Sequence, residues 1–73
     1  MPKLPRISGR ECVRTLEKLG FAQVRQRGSH VVMRNGDRGC SVPMHKQLKT
    51  GTLRGILKQA EVSVEEFVDA YKN

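Results

Sequence analysis

Two runs of alternating character, Ala22 to Arg27 and His30 to Asn35, meet at the dipeptide Gly28-Ser29, and nothing else in the chain restricts its fold as much. Glycine takes the positive φ that a two-residue hairpin connection needs. The dipeptide therefore predicts strands over 22–27 and 30–35, with Arg27 and His30 facing each other across the ladder. Side chains alternate between faces along a strand. A regular ladder would put Gln23, Arg25 and Arg27 on one face with His30, Val32 and Arg34. The other face would carry Ala22, Val24, Val31 and Met33. One face is then apolar, and the other presents an imidazole among guanidinium groups.

The flanking segments read as the cover for the apolar face. Residues 1–7 hold two prolines and no period, and read as an extended lead-in. Ser8-Gly9-Arg10-Glu11 is a capping box, in which the hydroxyl caps a helix start and the glutamate reaches back. Val13, Leu16 and Leu19, with Cys12 beside them, recur at helical spacing, and Gly20 ends that helix as a C′ residue against which Phe21 packs back. Arg10, Arg14 and Lys18 recur on the polar side, either to meet phosphate or as an ordinary solvated face. After the hairpin, Asn35-Gly36-Asp37-Arg38-Gly39 forms a turn cluster. Cys40-Ser41-Val42 is a short third strand, with Pro43 at an edge or exit position. Met44 to Lys49 is a basic connection. Thr50 is the expected cap of a second helix, with Leu53, Ile56, Leu57 and Ala60 facing in. Gly55 within it is explained by close packing on the sheet. Ser63-Val64-Glu65-Glu66 repeats the capping-box pattern and opens a short last helix, with Val64, Phe67, Val68 and Tyr71 on one side.

These elements predict an α+β fold of order α-β-β-β-α plus a short C-terminal helix, as a single domain over 1–73. The three-stranded antiparallel sheet carries its helices on one face and leaves the His30 face open. A domain this small buries only about 60% of the surface its unfolded chain exposes, so a partner protein would help it. Cys12 and Cys40 lie in a helical and a strand pattern, and read as small reduced core residues rather than a disulfide. Together with His30 and His45 they match no recognised zinc-ligand spacing. No apolar run approaches a membrane span and no signal-peptide pattern is present, so a cytoplasmic protein with no membrane association is expected.

The chain holds 14 Lys+Arg against 7 Asp+Glu, a net +7. The charge is uneven: residues 1–58 hold 13 of the basic and 3 of the acidic residues, while 59–73 are net −3. Such a body points to a polyanionic partner. There is no Trp, and Phe21, Phe67 and Tyr71 have core positions, so a stacking platform for single strands lacks its parts. Gly36-Asp37-Arg38-Gly39 matches a KH loop in letters but joins strands instead of helices, and a helix-turn-helix would need a helix where strands are predicted. Metal-dependent nucleases gather carboxylates. Here Glu11, Glu17 and the tail acids fall away from the His30 face, with only Asp37 in a turn near it. No metal or other cofactor is therefore expected. RNA supplies its own nucleophile, the 2′-hydroxyl. Histidine can serve as base or acid near neutrality, and arginines can stabilise the phosphate. His30 with Arg25, Arg27 and Arg34 meets that minimum. Ser29, Lys46 and Lys49 join the three arginines as candidate RNA contacts, and His45 is a candidate auxiliary group if its loop folds back. The residues by themselves leave two readings open, a metal-free ribonuclease and a non-catalytic RNA-binding module.

One ordered set of short motifs spans nearly the whole chain. It runs from Gly20-Phe21 through Val24-Arg25-Gln26, Gly28-Ser29-His30, and Val42-Pro43 with His45. It continues through Gly51-Thr52-Leu53 and Ile56-Leu57-Lys58-Gln59-Ala60 to Glu65-Glu66-Phe67. In this it resembles the HicA toxin family. That resemblance implies a double-stranded-RNA-binding-like fold and cleavage of mRNA. It also implies inhibition by a cognate HicB-like antitoxin, with any oligomer formed through that complex, and a catalytic histidine at His30. The alternative to the implied endonuclease is a double-stranded-RNA-binding module without chemistry.

Overall fold

A computed structural model of the chain describes residues 3–73; Met1 and Pro2, part of the expected lead-in, lie outside the described residues. The element order is α1 (Gly9–Lys18), β1 (Ala22–Arg27), β2 (His30–Asn35), β3 (Arg38–Pro43), α2 (Thr50–Ala60) and α3 (Val64–Lys72). The strands form one antiparallel sheet of order β1-β2-β3. This is the expected α+β architecture, with β3 longer at both ends than its apolar residues alone indicate.

Both capping boxes form. Ser8 Oγ accepts from the Glu11 N–H at 3.1 Å, and Glu11 Oε1 accepts from the Ser8 N–H at 3.0 Å. Ser63 and Glu66 repeat the pair at 3.0 and 3.2 Å. Each box satisfies donors that the first helical turn leaves without partners. Helix α2 departs from expectation. Its N-cap is Lys49, no side chain caps it, and Thr50 is already helical. Gly55 also departs, because a Cβ built there meets nothing within 4 Å. Its place on an exposed turn of α2 explains the tolerance, and close packing does not. At the other end of the fold, Lys18 Nζ donates to the Ala70 carbonyl at 3.2 Å and to the Asn73 carbonyl at 2.8 Å. A cation thus satisfies the last carbonyls of α3, where the helix dipole favours positive charge. Of the expected basic stripe, Arg10 and Arg14 are exposed and Lys18 has this structural task.

The core lies between the helices and one face of the sheet. Val31, Met33, Cys40 and Val42 point into it from the strands. Cys12, Val13 and Leu16 of α1 meet them there, with Leu53, Ile56, Leu57 and Ala60 of α2, and Phe67 of α3. Phe21 is buried, with the Arg38 guanidinium 5.5 Å above its ring. Arg38 also donates to the Glu61 carbonyl at 3.4 Å, which ties the β3 start to the end of α2. Cys12 and Cys40 are free and buried. Burial pushes both thiols up, Cys12 to about 12 and Cys40 to about 11, and the neighbouring Cys40 adds to the rise at Cys12.

Candidate functional site

The site is built from strand register. His30, Val32 and Arg34 of β2 point away from the helices, and their burial alternates with that of Val31 and Met33. Across the β1 side, His30 faces Arg27 and Val32 faces Arg25. Across the β3 side, His30 faces Pro43, Val32 faces Ser41 and Arg34 faces Gly39. Directly opposed residues share a face. His30, Arg25, Arg27 and Arg34 therefore stand together on the uncovered side, and all four are exposed.

The far end of β1 does not follow the regular alternation. The register shifts between Gln23 and Arg25, so Val24 has no partner on β2. A bulge sets two residues against one and inverts the facing of everything beyond it. Gln23 now pairs with Met33, on the helix side, and Ala22 pairs with Arg34, on the open side. Val24 is 54% exposed, the exposed large hydrophobic among the described residues. The expected grouping of Gln23 with His30, and of Ala22 and Val24 with Val31, is thus corrected. Arg25 and Arg27 keep their places because they lie between the bulge and the turn.

Gly28 adopts φ +54° while Ser29 does not take a positive value, the pattern of a II′ turn. Ser29 is exposed, and its carbonyl accepts from the Met44 N–H at 2.6 Å, which continues the β2–β3 ladder past Pro43. The chain then turns toward α1. The His45 carbonyl accepts from the Gly9 N–H at 2.9 Å, and the Ile7 carbonyl accepts from the Leu48 N–H at 2.7 Å. A Cβ at Gly9 would overlap the Pro43 carbonyl and stand 2.8 Å from Met44 Cα, so only glycine lets α1 start this close to the β3 exit.

These contacts place His45 and Lys46 beside Arg10, with Ser8 and Met44, around a hollow of about 250 Å³ that does not include His30. The expected auxiliary histidine therefore belongs to a second basic group next to the sheet face. Lys49 is exposed at the start of α2. Arg10 was legible as part of a basic stripe, but its companionship with His45 depends on where the β3 exit packs. Another hollow lies at the β3 edge of the sheet, where Val32, Arg34, Gly39 and Ser41 of the His30 face meet Asp37 of the turn, Cys40 and Gln59 of α2. Among the described residues, no three His, Cys, Asp or Glu side chains gather where they could hold a metal ion. No helix of the described residues is long and apolar enough to cross a membrane.

A helix-backed antiparallel sheet, with one strongly cationic face bearing a single exposed imidazole, defines a small basic α+β domain. Residues 9–62, from the first residue of α1 to just past α2, match the family model described as the HicA toxin of bacterial toxin-antitoxin. The match spans well over half of the chain, and the chain belongs to the HicA toxin family. No curated protein matches it at a significant level.

Proposed function

We propose that this toxin is an mRNA endonuclease working without a metal ion, that the residues 1–73 act as one domain of double-stranded-RNA-binding type, and that His30 moves a proton in the cleavage step. The single observation that carries the reading is His30, exposed on the uncovered sheet face and paired across the ladder with Arg27. RNA provides the nucleophile. The 2′-hydroxyl loses its proton, its oxygen attacks the adjacent phosphorus, and the bond to the 5′-oxygen breaks as that oxygen gains a proton. The products are a 2′,3′-cyclic phosphate and a 5′-hydroxyl. A neutral imidazole accepts the first proton, or an imidazolium donates the second, with water serving the other oxygen. Arg25, Arg27 and Arg34 offset the charge that builds on the phosphate. Ser29, Lys46 and Lys49 hold flanking backbone, and His45 is the candidate auxiliary group at the edge. Among the described residues the carboxylates are scattered and gather no ligand set for a metal, and the proposed reaction runs through the ribose itself.

A toxin of this family works with an antitoxin. The partner proposed is an acidic HicB-like protein that covers the His30 face, binds in the cytoplasm, and makes any larger assembly. The net +7 charge supports that choice through electrostatic complementarity.

The test is incubation of purified protein with mRNA in EDTA, beside His30→Ala, with growth measured on induction. Cleavage and growth arrest are expected for the natural chain and loss of both for the variant. Activity that survives in His30→Ala rejects the role of His30. RNA that is retarded on a gel yet intact with the natural chain would leave a binding module only. Co-expression with the adjoining reading frame, followed by pull-down, tests the partner.

A further inference from the structure

The His30 face is uneven along its length. At its β3 edge it opens into the hollow of roughly 500 Å³ formed by β2, β3, the turn between them, and Gln59 of α2, with Cys40 at its floor. Binding sites for small molecules commonly measure about 300–1,000 Å³. Val32 faces Ser41 and Arg34 faces Gly39, on the same side of the sheet as His30. Val32 is two residues from His30, about 7 Å along a strand. Val32 is the near wall; Asp37 lies past the far end of β2, which is five strand steps or roughly 17 Å from His30.

The lining has the chemistry of a base site more than of a phosphate site. Val32 is a half-buried apolar surface. Arg34 can lay its guanidinium plane on a base, as arginine does where aromatic residues are lacking. Gly39 lies beside it: a Cβ there would stand in ordinary contact, 3.4 Å, with Arg34 Cγ and tightly, 3.2 Å, against the Met33 carbonyl oxygen. Asp37 brings only acceptors, while Ser41 and Gln59 bring both donors and acceptors. A carboxylate repels phosphate but accepts from an exocyclic amine. Adenine, cytosine and guanine carry such an amine. Uracil has no exocyclic amine and offers only its ring N3–H, flanked by two carbonyl oxygens that a carboxylate repels.

We propose that this hollow is a nucleobase subsite, a few nucleotides along the strand from the cleaved bond, that takes an unstacked base bearing an exocyclic amine and discriminates against uracil. Asp37 and Gln59 read the base edge, and Arg34 stacks on it. The inference rests on reading this face as an RNA surface, and it adds a source of sequence preference.

The test uses His30→Ala protein, so that cleavage does not intervene, titrated with a uridine hexaribonucleotide and with hexamers carrying one adenosine or cytidine at a central position. The amine-bearing hexamers should bind more tightly by roughly 2–10-fold for each hydrogen bond gained. Adding Asp37→Ala or Gln59→Ala should bring all three hexamers to within about twofold of one another, a change on the scale of one lost hydrogen bond. The salt dependence, which reports phosphate contacts, should hold. Equal affinities without these substitutions, or a base preference that survives both, would overturn the subsite. A natural chain that leaves mRNA intact removes the ribonuclease reading alone, because the hexamer titration still decides the hollow.

Discussion

Arg27 stands directly across the β1–β2 ladder from His30, as the last pair before the hairpin turns. The relationship fixes a cation beside the imidazole through backbone hydrogen bonds, with no need for a side-chain contact to hold it. A phosphate approaching His30 therefore meets the Arg27 guanidinium at the same step. Arg27→Ala should lower kcat/KM for RNA by roughly tenfold, below the larger losses seen when a donor is removed from an enclosed site. Arg27→Lys should restore only part of it, because an ammonium lacks the planar fork. Single-turnover cleavage assays would measure both, and an unchanged rate in Arg27→Ala would remove this residue from the site.

The bulge at Val24 separates two apolar positions that a period of two would pair across the ladder. Val24 is exposed and Met33 is fully buried. Val24→Ala should change stability by less than about 0.5 kcal/mol, as for other exposed positions. Met33→Ala should cost about 2–5 kcal/mol, through lost burial and the cavity left behind. Urea denaturation of the two variants checks the contrast. A large loss from Val24→Ala would place that side chain in the core and remove the bulge.

Gly9 is where α1 meets the exit of β3. Gly9→Ala should destabilise the fold by about 2 kcal/mol, since a methyl group has no room against backbone atoms. In a domain of this size each 1 kcal/mol corresponds to a shift of roughly 4–8 °C in Tm. A thermal melt reads the effect. Gly55→Ala serves as the counterpart: its Cβ meets open space, and better helix propensity should stabilise by roughly 0.5–1 kcal/mol.

The buried thiols carry a pH dependence with a definite sign. Both have folded-state pKa values raised above the ordinary value of 9.0, to about 12 and about 11. Below pH 9 neither state ionises them, so their favourable contribution is complete there. Above it the unfolded chain releases the protons first, and stability falls as pH rises toward the folded values. Comparison with Cys12→Ala/Cys40→Ala above pH 9 should show a shallower decline in the variant. At pH 8 the native thiols should resist a disulfide reagent, and both should react in denaturant. Rapid labelling of the native protein would contradict their burial.

Much of the fold was legible because local chemistry and tertiary packing agree. The hairpin followed from Gly28-Ser29, and both strand spans match the alternation that predicted them. Ser8 with Glu11, and Ser63 with Glu66, mark two helix starts by hydrogen bonds that close within four residues. The misplaced features share one cause. The bulge at Val24 depends on how β1 docks on β2, which no local pattern encodes. Thr50 has the composition of a cap, yet the chain enters α2 one residue earlier. Gly55 carried no sign of whether its missing side chain faced protein or water.

The sequence alone determined which residues alternate, where helices begin, and that a cationic hairpin bears a histidine at its strand start. Those properties depend on side-chain chemistry over a few residues. Only the tertiary structure decided that His45 joins Arg10 instead of His30, and that Gln59 closes a hollow at the β3 edge of the sheet. Such groupings join residues far apart in the chain, and they exist only once the helices have packed against the sheet and fixed where each strand exit leads.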